Sequence, residues 1–224
     1  MAVDTLSLTE IWARVNTVIR DPAKGFVTDA NVMDWVNEAQ IDLAGRYRTF
    51  LVAASGTVGA DNDIDLPADF LELRRVKLGA AAPFNHVEIV SDDVFDSYVD
   101  RGATPPHELG RFFYPTSAGP QAIELYPAQA STVAWTMRYY AAPDDMTAGG
   151  DISALPARLH IKLVQYAQAQ ACIKMREFDQ GATYLQMFEQ GLPPAPGSVA
   201  PSQNVPKQMH YERGPFDHSE ARHL

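Results

Sequence analysis

Apolar residues recur at helical spacing towards both ends of the chain and at nearly every second position between them. Leu8, Ile11, Trp12, Val15 and Ile19 share one stripe of a 3.6-residue period, and Ser7 with Glu10 forms a capping-box pattern ahead of them. Asp21-Pro22 and Gly25 end that helix. Thr28 is the next N-cap residue. Val32, Trp35, Val36, Ala39 and Leu43 then give a second amphipathic helix that ends near Tyr47. Two short helices joined by a Pro/Gly turn predict a packed hairpin.

From Phe50 to about Ala142 the period falls towards two. Ile64 and Leu66 alternate with Asp63 and Asp65, and Arg75–Leu78 reads as another strand. Ser91 caps a short helix holding Val94, Phe95 and Tyr98. Arg111–Tyr114 and Gln121–Tyr126 flank a turn, Pro115–Pro120, and predict a hairpin. Val133, Trp135, Met137 and Tyr139 point one way on a last strand, with Thr132, Thr136 and Arg138 opposite.

A loop with Asp144, Asp145, Gly149, Gly150 and Asp151 returns the chain to helix. Leu155 to Phe178 predicts one helix of about 36 Å. It carries two stripes: Leu159, Leu163, Tyr166 and Ile173, and Ile161, Val164, Met175 and Phe178. A helix apolar over so much of its surface must be covered on several sides. The second stripe is the candidate subunit interface. Ala167, Ala169 and Ala171 let another helix approach closely. Gly181 is read as an interruption before a last short helix, Tyr184–Phe188.

Beyond Leu192 the pattern disappears. Six prolines (Pro193, Pro194, Pro196, Pro201, Pro206 and Pro215) punctuate a segment with no apolar repeat. Such a segment cannot bury enough apolar area to offset the entropy of ordering it, so alone it is expected to be disordered or polyproline-like. Stretched, it reaches on the order of 100 Å. Val205, Met209, Tyr211, Phe216 and Leu224 are its candidate anchors. The order predicts an α+β fold. Residues 1–49 and 152–191 form a helical bundle, 50–151 an inserted antiparallel β region, and 192–224 an extended C-terminal arm.

The formal net charge is −10, and the arm balances Lys207, Arg213 and Arg222 against Glu212, Asp217 and Glu220, so the excess acid lies in the body. An acidic body argues against gripping nucleic acid through phosphates, which needs clustered Lys and Arg. The single cysteine, Cys172, sits in an apolar helical pattern and reads as a small buried hydrophobe. No secretory signal and no run of about 18 apolar residues is seen, so the chain is expected to be soluble and made in a cytoplasm.

Candidate chemistry is sparse. Asp61, Asp63, Asp65, Asp69 and Glu72 fall at calcium-loop positions, but Leu66 stands where the sharp turn needs glycine and Pro67 follows it. A strand with Ile64 and Leu66 inward is the preferred reading. His210, His218 and His223 crowd the arm, with the last two five residues apart, outside the usual helical ligand register. His86, His107 and His160 are scattered. Trp135, Tyr139 and Tyr140 could form a sugar platform, although strand aromatics usually belong to a core. No GxSxG, HExxH, CxxC or phosphate-loop pattern occurs, and the chain reads as non-enzymatic, with no catalytic residue, no cofactor and no metal.

The run Ile64-Asp65-Leu66-Pro67-Ala68-Asp69-Phe70-Leu71-Glu72-Leu73-Arg74-Arg75-Val76 resembles the LPxDFLxLxxV segment of tailed-phage head-to-tail connector (adaptor) proteins. Trp35-Val36-Asn37-Glu38-Ala39, Leu125-Tyr126-Pro127, Tyr139-Tyr140-Ala141-Ala142-Pro143 and Leu155-Pro156 follow that family's order. The resemblance covers roughly residues 5–190 and leaves the arm outside. It implies a structural virion protein assembled in the host cytoplasm and located at the head–tail neck. There it would form a dodecameric ring below the portal, extend the DNA channel and carry the tail. Implied partners are the portal protein, tail or stopper/terminator proteins and copies of itself. Genomic DNA would pass through without sequence-specific binding, and no membrane is involved. A tail completion or terminator protein of the same virion is the second reading. A metal- or carbohydrate-binding module is the third, from another class.

Overall fold

A computed structural model describes residues 5–19, 25–79, 85–114, 121–130 and 132–192. Two helices open the chain, α1 (Leu8–Ile19) and α2 (Asp29–Tyr47). Both start as the sequence indicates. The Glu10 N–H donates to Ser7 Oγ (3.3 Å) while Glu10 Oε2 accepts from the Ser7 N–H (2.7 Å). Thr28 and Asn31 make the same reciprocal pair at α2.

Four strands follow: β1 (Leu51–Thr57), β2 (Asp63–Asp65), β3 (Phe70–Leu78) and β4 (Asn85–Ile89). A short helix, α3 (Asp92–Arg101), leads to β5 (Glu108–Phe113), β6 (Ala122–Tyr126) and β7 (Ala134–Ala141). One sheet takes all seven in the order β1-β7-β3-β4-β5-β6-β2. Every ladder is antiparallel except β4–β5, whose parallel pairing needs the crossover that α3 supplies.

The two rims of this sheet, β1 and β2, are joined by only residues 58–62. Six peptide steps from Thr57 to Asp63 reach about 20 Å. A flat seven-stranded sheet would separate its rims by about 29 Å. The sheet must therefore curl, and it forms a nearly closed barrel. Its interior is Val58, Ile64, Leu66, Val76, Leu78, Val87, Ile123, Leu125, Trp135, Met137, Tyr139 and Ala141. Packing is tight enough that a Cβ on Gly110 would lie 2.8 Å from Val87 Cγ1 and 2.9 Å from Ile123 Cγ2. On the outside, Arg111 lies 4.6 Å over the Phe95 ring of α3 and bonds Asp96 and Glu124, both at 2.8 Å.

The C-terminal helices differ from the expected single rod. A 3-10 turn (Ala157–Leu159) leads into α4 (His160–Lys174), and α5 (Phe178–Glu189) follows after a sharp reversal. The break is at Arg176, which takes a left-handed conformation (φ 64°), while Glu177 N–H donates to Cys172 O at 2.8 Å. Gly181 is not the interruption. It lies buried inside α5, where a Cβ would meet Ile173 Cγ1 at 2.8 Å and Ala169 O at 3.2 Å. It is a point of close approach between α5 and α4.

Helix α4 is covered by α1, α2 and α5, and α1 touches α4 far more than α2, so the expected α1–α2 hairpin is instead wedged open by α4. Ala167, Ala169 and Ala171 are fully buried and allow that three-sided packing. The helical core joins Ile11, Val15, Val32, Val36, Leu43, Leu163, Val164 and Phe188. Burying a side chain such as Phe188 or Leu163 stabilises the fold by about 2–3 kcal/mol each.

Candidate interaction surfaces

The polar residues of the helical layer work as clamps. Asn37 Nδ2 donates to Met146 O (3.1 Å), and Asn37 Oδ1 accepts from the Met146 N–H (2.9 Å). One turn on, buried Gln40 donates to Asp144 O (3.0 Å) and accepts from Ser153 Oγ (2.9 Å). Together they hold the loop between β7 and α4 against α2. Buried His160 does the same for the N-terminus: Nδ1 accepts from the Leu6 N–H, so Nε2 carries the proton and donates to Leu155 O, both at 2.9 Å. Amides three apart on a buried helical stripe were the available signal for Asn37 and Gln40; His160 gave none.

A second set ties the barrel to the helices. Tyr139 Oη donates to Asp69 Oδ1 at 3.0 Å, and burial first, then the Asp69 carboxylate, push the Tyr139 pKa up. Phe70 stacks on the same ring at 5.7 Å. Arg48, the left-handed C-cap of α2, donates twice to Glu72 (2.9 and 2.6 Å) and lies 5.9 Å over the Tyr140 ring. The LPxDFL and Tyr-Tyr segments thus meet the C-terminal end of α2 at one joint.

The chain leaves this body at a fixed root. Arg46 makes a two-pronged pair with Glu189 (2.7 and 2.8 Å), and hydrogen bonding to that carboxylate raises its pKa. Its guanidinium also lies 5.8 Å over Phe188. Lys162 Nζ donates to Met187 O and to Gln190 O, holding the last carbonyls of α5. Burial lowers the Lys162 pKa, partly offset by Glu189. Tyr47 Oη donates to Gly191 O (3.5 Å), and Leu192 packs on the helical core.

The predicted interface stripe is divided. Val164 is 2% exposed inside the helical core and Met175 packs against that core, whereas Ile161 and Phe178 are 45% and 62% exposed. Ile161 lies in the first turn of α4 and Phe178 opens α5, so the two are on different helices. The arm anchors Val205, Met209, Tyr211, Phe216 and Leu224 lie outside the described residues, as do His210, His218 and His223. The aromatic trio does not form one platform. Trp135 and Tyr139 face the barrel core, with Trp135 Nε1 donating to Thr57 O (3.0 Å), while Tyr140 faces Arg48 on the other side. The five calcium-pattern acids are split: Asp61, Asp63 and Asp65 crowd one another at β2, whereas Asp69 accepts from Tyr139 and Glu72 holds Arg48.

These clamps fix the body from Leu6 to Leu192. A sequence model of the SU10 adaptor proteins matches residues 6–206. The chain belongs to that family. It is a phage adaptor, a structural protein, and membership implies no enzymatic role. No curated protein matches it. The match runs past residue 190 into the arm, so Val205 lies within the adaptor pattern and Met209, Tyr211, Phe216 and Leu224 lie beyond it. No helix among the described residues is long and apolar enough to cross a membrane.

Proposed function

We propose that this adaptor forms a dodecameric ring at the head–tail neck of the virion, below the portal, where it extends the DNA channel and seats the tail or stopper/terminator proteins. The observation that carries this reading is the family match over residues 6–206, which joins body and proximal arm in one unit. Residues 1–49 and 152–191 act as the helical domain, 50–151 as the β domain, and 192–224 as the arm. Ring closure needs a head-to-tail contact. Exposed Ile161 and Phe178 supply apolar surface for it, whereas Val164 and Met175 serve the subunit's own core. The acidic body lets DNA slide past without adhesion.

The arm binds the portal through Val205, Met209, Tyr211, Phe216 and Leu224, ordering as it docks. Ringwise repetition multiplies a weak single contact. Deleting residues 193–224 spares Leu192 and the root. The shortened chain is expected to keep its thermal transition and to lose at least about tenfold in portal affinity, which is about 1.4 kcal/mol. Unchanged capture of portal by the shortened chain would remove the arm from the mechanism.

A further inference from the structure

Strand β1 is an open rim of the barrel. The Ala141 N–H donates to Phe50 O (2.9 Å) and the Val58 N–H donates to Val133 O (3.0 Å). In an antiparallel ladder of this register, the bonded positions are therefore 50, 52, 54, 56 and 58. The N–H and C=O groups of Leu51, Ala53 and Ser55 point away from β7, and no described residue bonds to them. The side chains agree: Leu51 on the outer face is 49% exposed and Val52 on the inner face 37%. Tyr139, the partner of Val52 on the doubly flanked β7, is buried.

Natural rims are protected by shortness, charge or proline. The other rim, β2, has three residues and carries Asp63 and Asp65. Strand β1 has seven, LVAASGT, with no charge and no proline. A segment of matching length and extended form would complete that side.

The chain holds such a segment. Prolines 193, 194, 196, 201 and 206 occupy the first part of the arm, but none lies between Lys207 and Gly214. In that stretch Met209 and Tyr211 alternate with His210 and Glu212, a strand pattern. The root is fixed close by, because Gly191 is bonded to Tyr47, four residues before Leu51.

We propose that the free rim of β1 is the docking site of the chain's own residues 207–213, paired antiparallel to it. That direction sets Lys207 beside Thr57, about 20 Å along the strand from Leu51. The fourteen-residue tether, polyproline-like at 3.1 Å per residue, reaches about 43 Å and spans that distance. Parallel pairing would force a stiff tether to close on itself beside its root. Tethering also gives the arm an effective concentration on the order of mM, above that of a free second copy in dilute solution. In the free subunit the rim thus holds Met209 and Tyr211, and portal binding must displace them. This release step rests on the adaptor reading; the pairing does not.

Hydrogen–deuterium exchange of the full chain alone, with Tyr211→Pro as the comparison, tests the pairing. Proline at 211 removes a ladder donor from the middle of the docked strand. Amides of Leu51, Ala53 and Ser55 are expected to exchange about tenfold faster in the variant, with α4 unchanged and the wild-type protection constant on dilution. Equal exchange of β1 in both proteins would overturn the proposal. Protection that disappears on dilution would also overturn it, and would assign the rim to the arm of a second copy. No portal is present in this experiment, so its outcome is independent of the ring, which portal capture reads separately.

Discussion

In the helical layer, α4 is enclosed on three sides, and the loop and termini around it are tied down by Asn37, Gln40, His160 and Arg46. The barrel has an equally filled interior, yet it leaves the backbone of β1 open at one rim. The contrast separates two tasks. A helix satisfies its own backbone, so a helical layer is finished once its apolar stripes are covered. A sheet is finished only when its rims are paired, and among the described residues β1 is paired on one side alone.

The largest effects should come from filling two close approaches, one in each core. Gly181→Val in the helices and Gly110→Val in the barrel each place side-chain atoms where a Cβ is already below 3 Å from a neighbour. Each is expected to cost about 3 kcal/mol in chemical denaturation. Tolerance of one variant but not of the other would break the claim that the two cores are similarly packed. Next, His160→Leu leaves the Leu6 N–H and the Leu155 carbonyl buried without partners. A loss of about 2 kcal/mol is expected, with faster amide exchange at residues 5–8. A stable variant with a protected Leu6 amide would show that the clamp is not needed.

Arg176→Gly should sharpen the contrast in the opposite direction. It relieves a left-handed arginine at the α4–α5 reversal and is expected to stabilise by about 1 kcal/mol. A drop in Tm would mean that the Arg176 side chain contributes more than its backbone costs. The smallest effect is in β2. Burial first, then Asp65 and Asp61, raise the Asp63 pKa. The folded chain therefore binds this proton more tightly than the unfolded chain, and stability falls as pH rises through the carboxylate range. Asp63→Asn should raise stability by about 0.5 kcal/mol at neutral pH and leave it unchanged at a pH below about 3. A gain of the same size at both pH values would exclude this ionisation as the cause.

The helices were legible because their periodicity and caps agree. Ser7–Glu10 and Thr28 begin helices as read, and Trp135, Met137 and Tyr139 face the barrel core as their alternation indicated. The long C-terminal helix misled because Met175, Arg176 and Glu177 carry no breaker, and the glycine that would suggest one packs inside α5. There, tertiary fit overrides propensity. Strand β3 was read only from Arg75, because register shifts at Phe70/Glu72 and Leu73/Arg75 scramble its alternation. Strand β1 escaped notice because it is exposed on both faces and has no alternation to show. The residues of the candidate interface stripe are divided by the fold. Ile161 and Phe178 are open, while Val164 and Met175 turn inward because α4 is covered on three sides.

Electron cryomicroscopy of the virion neck tests the adaptor assignment most directly. The expected result is a closed ring of twelve copies of this helix-and-barrel body in direct contact with the portal, surrounding the DNA path. Density for the body only on the tail side, with no portal contact, or none in the particle at all, would contradict it.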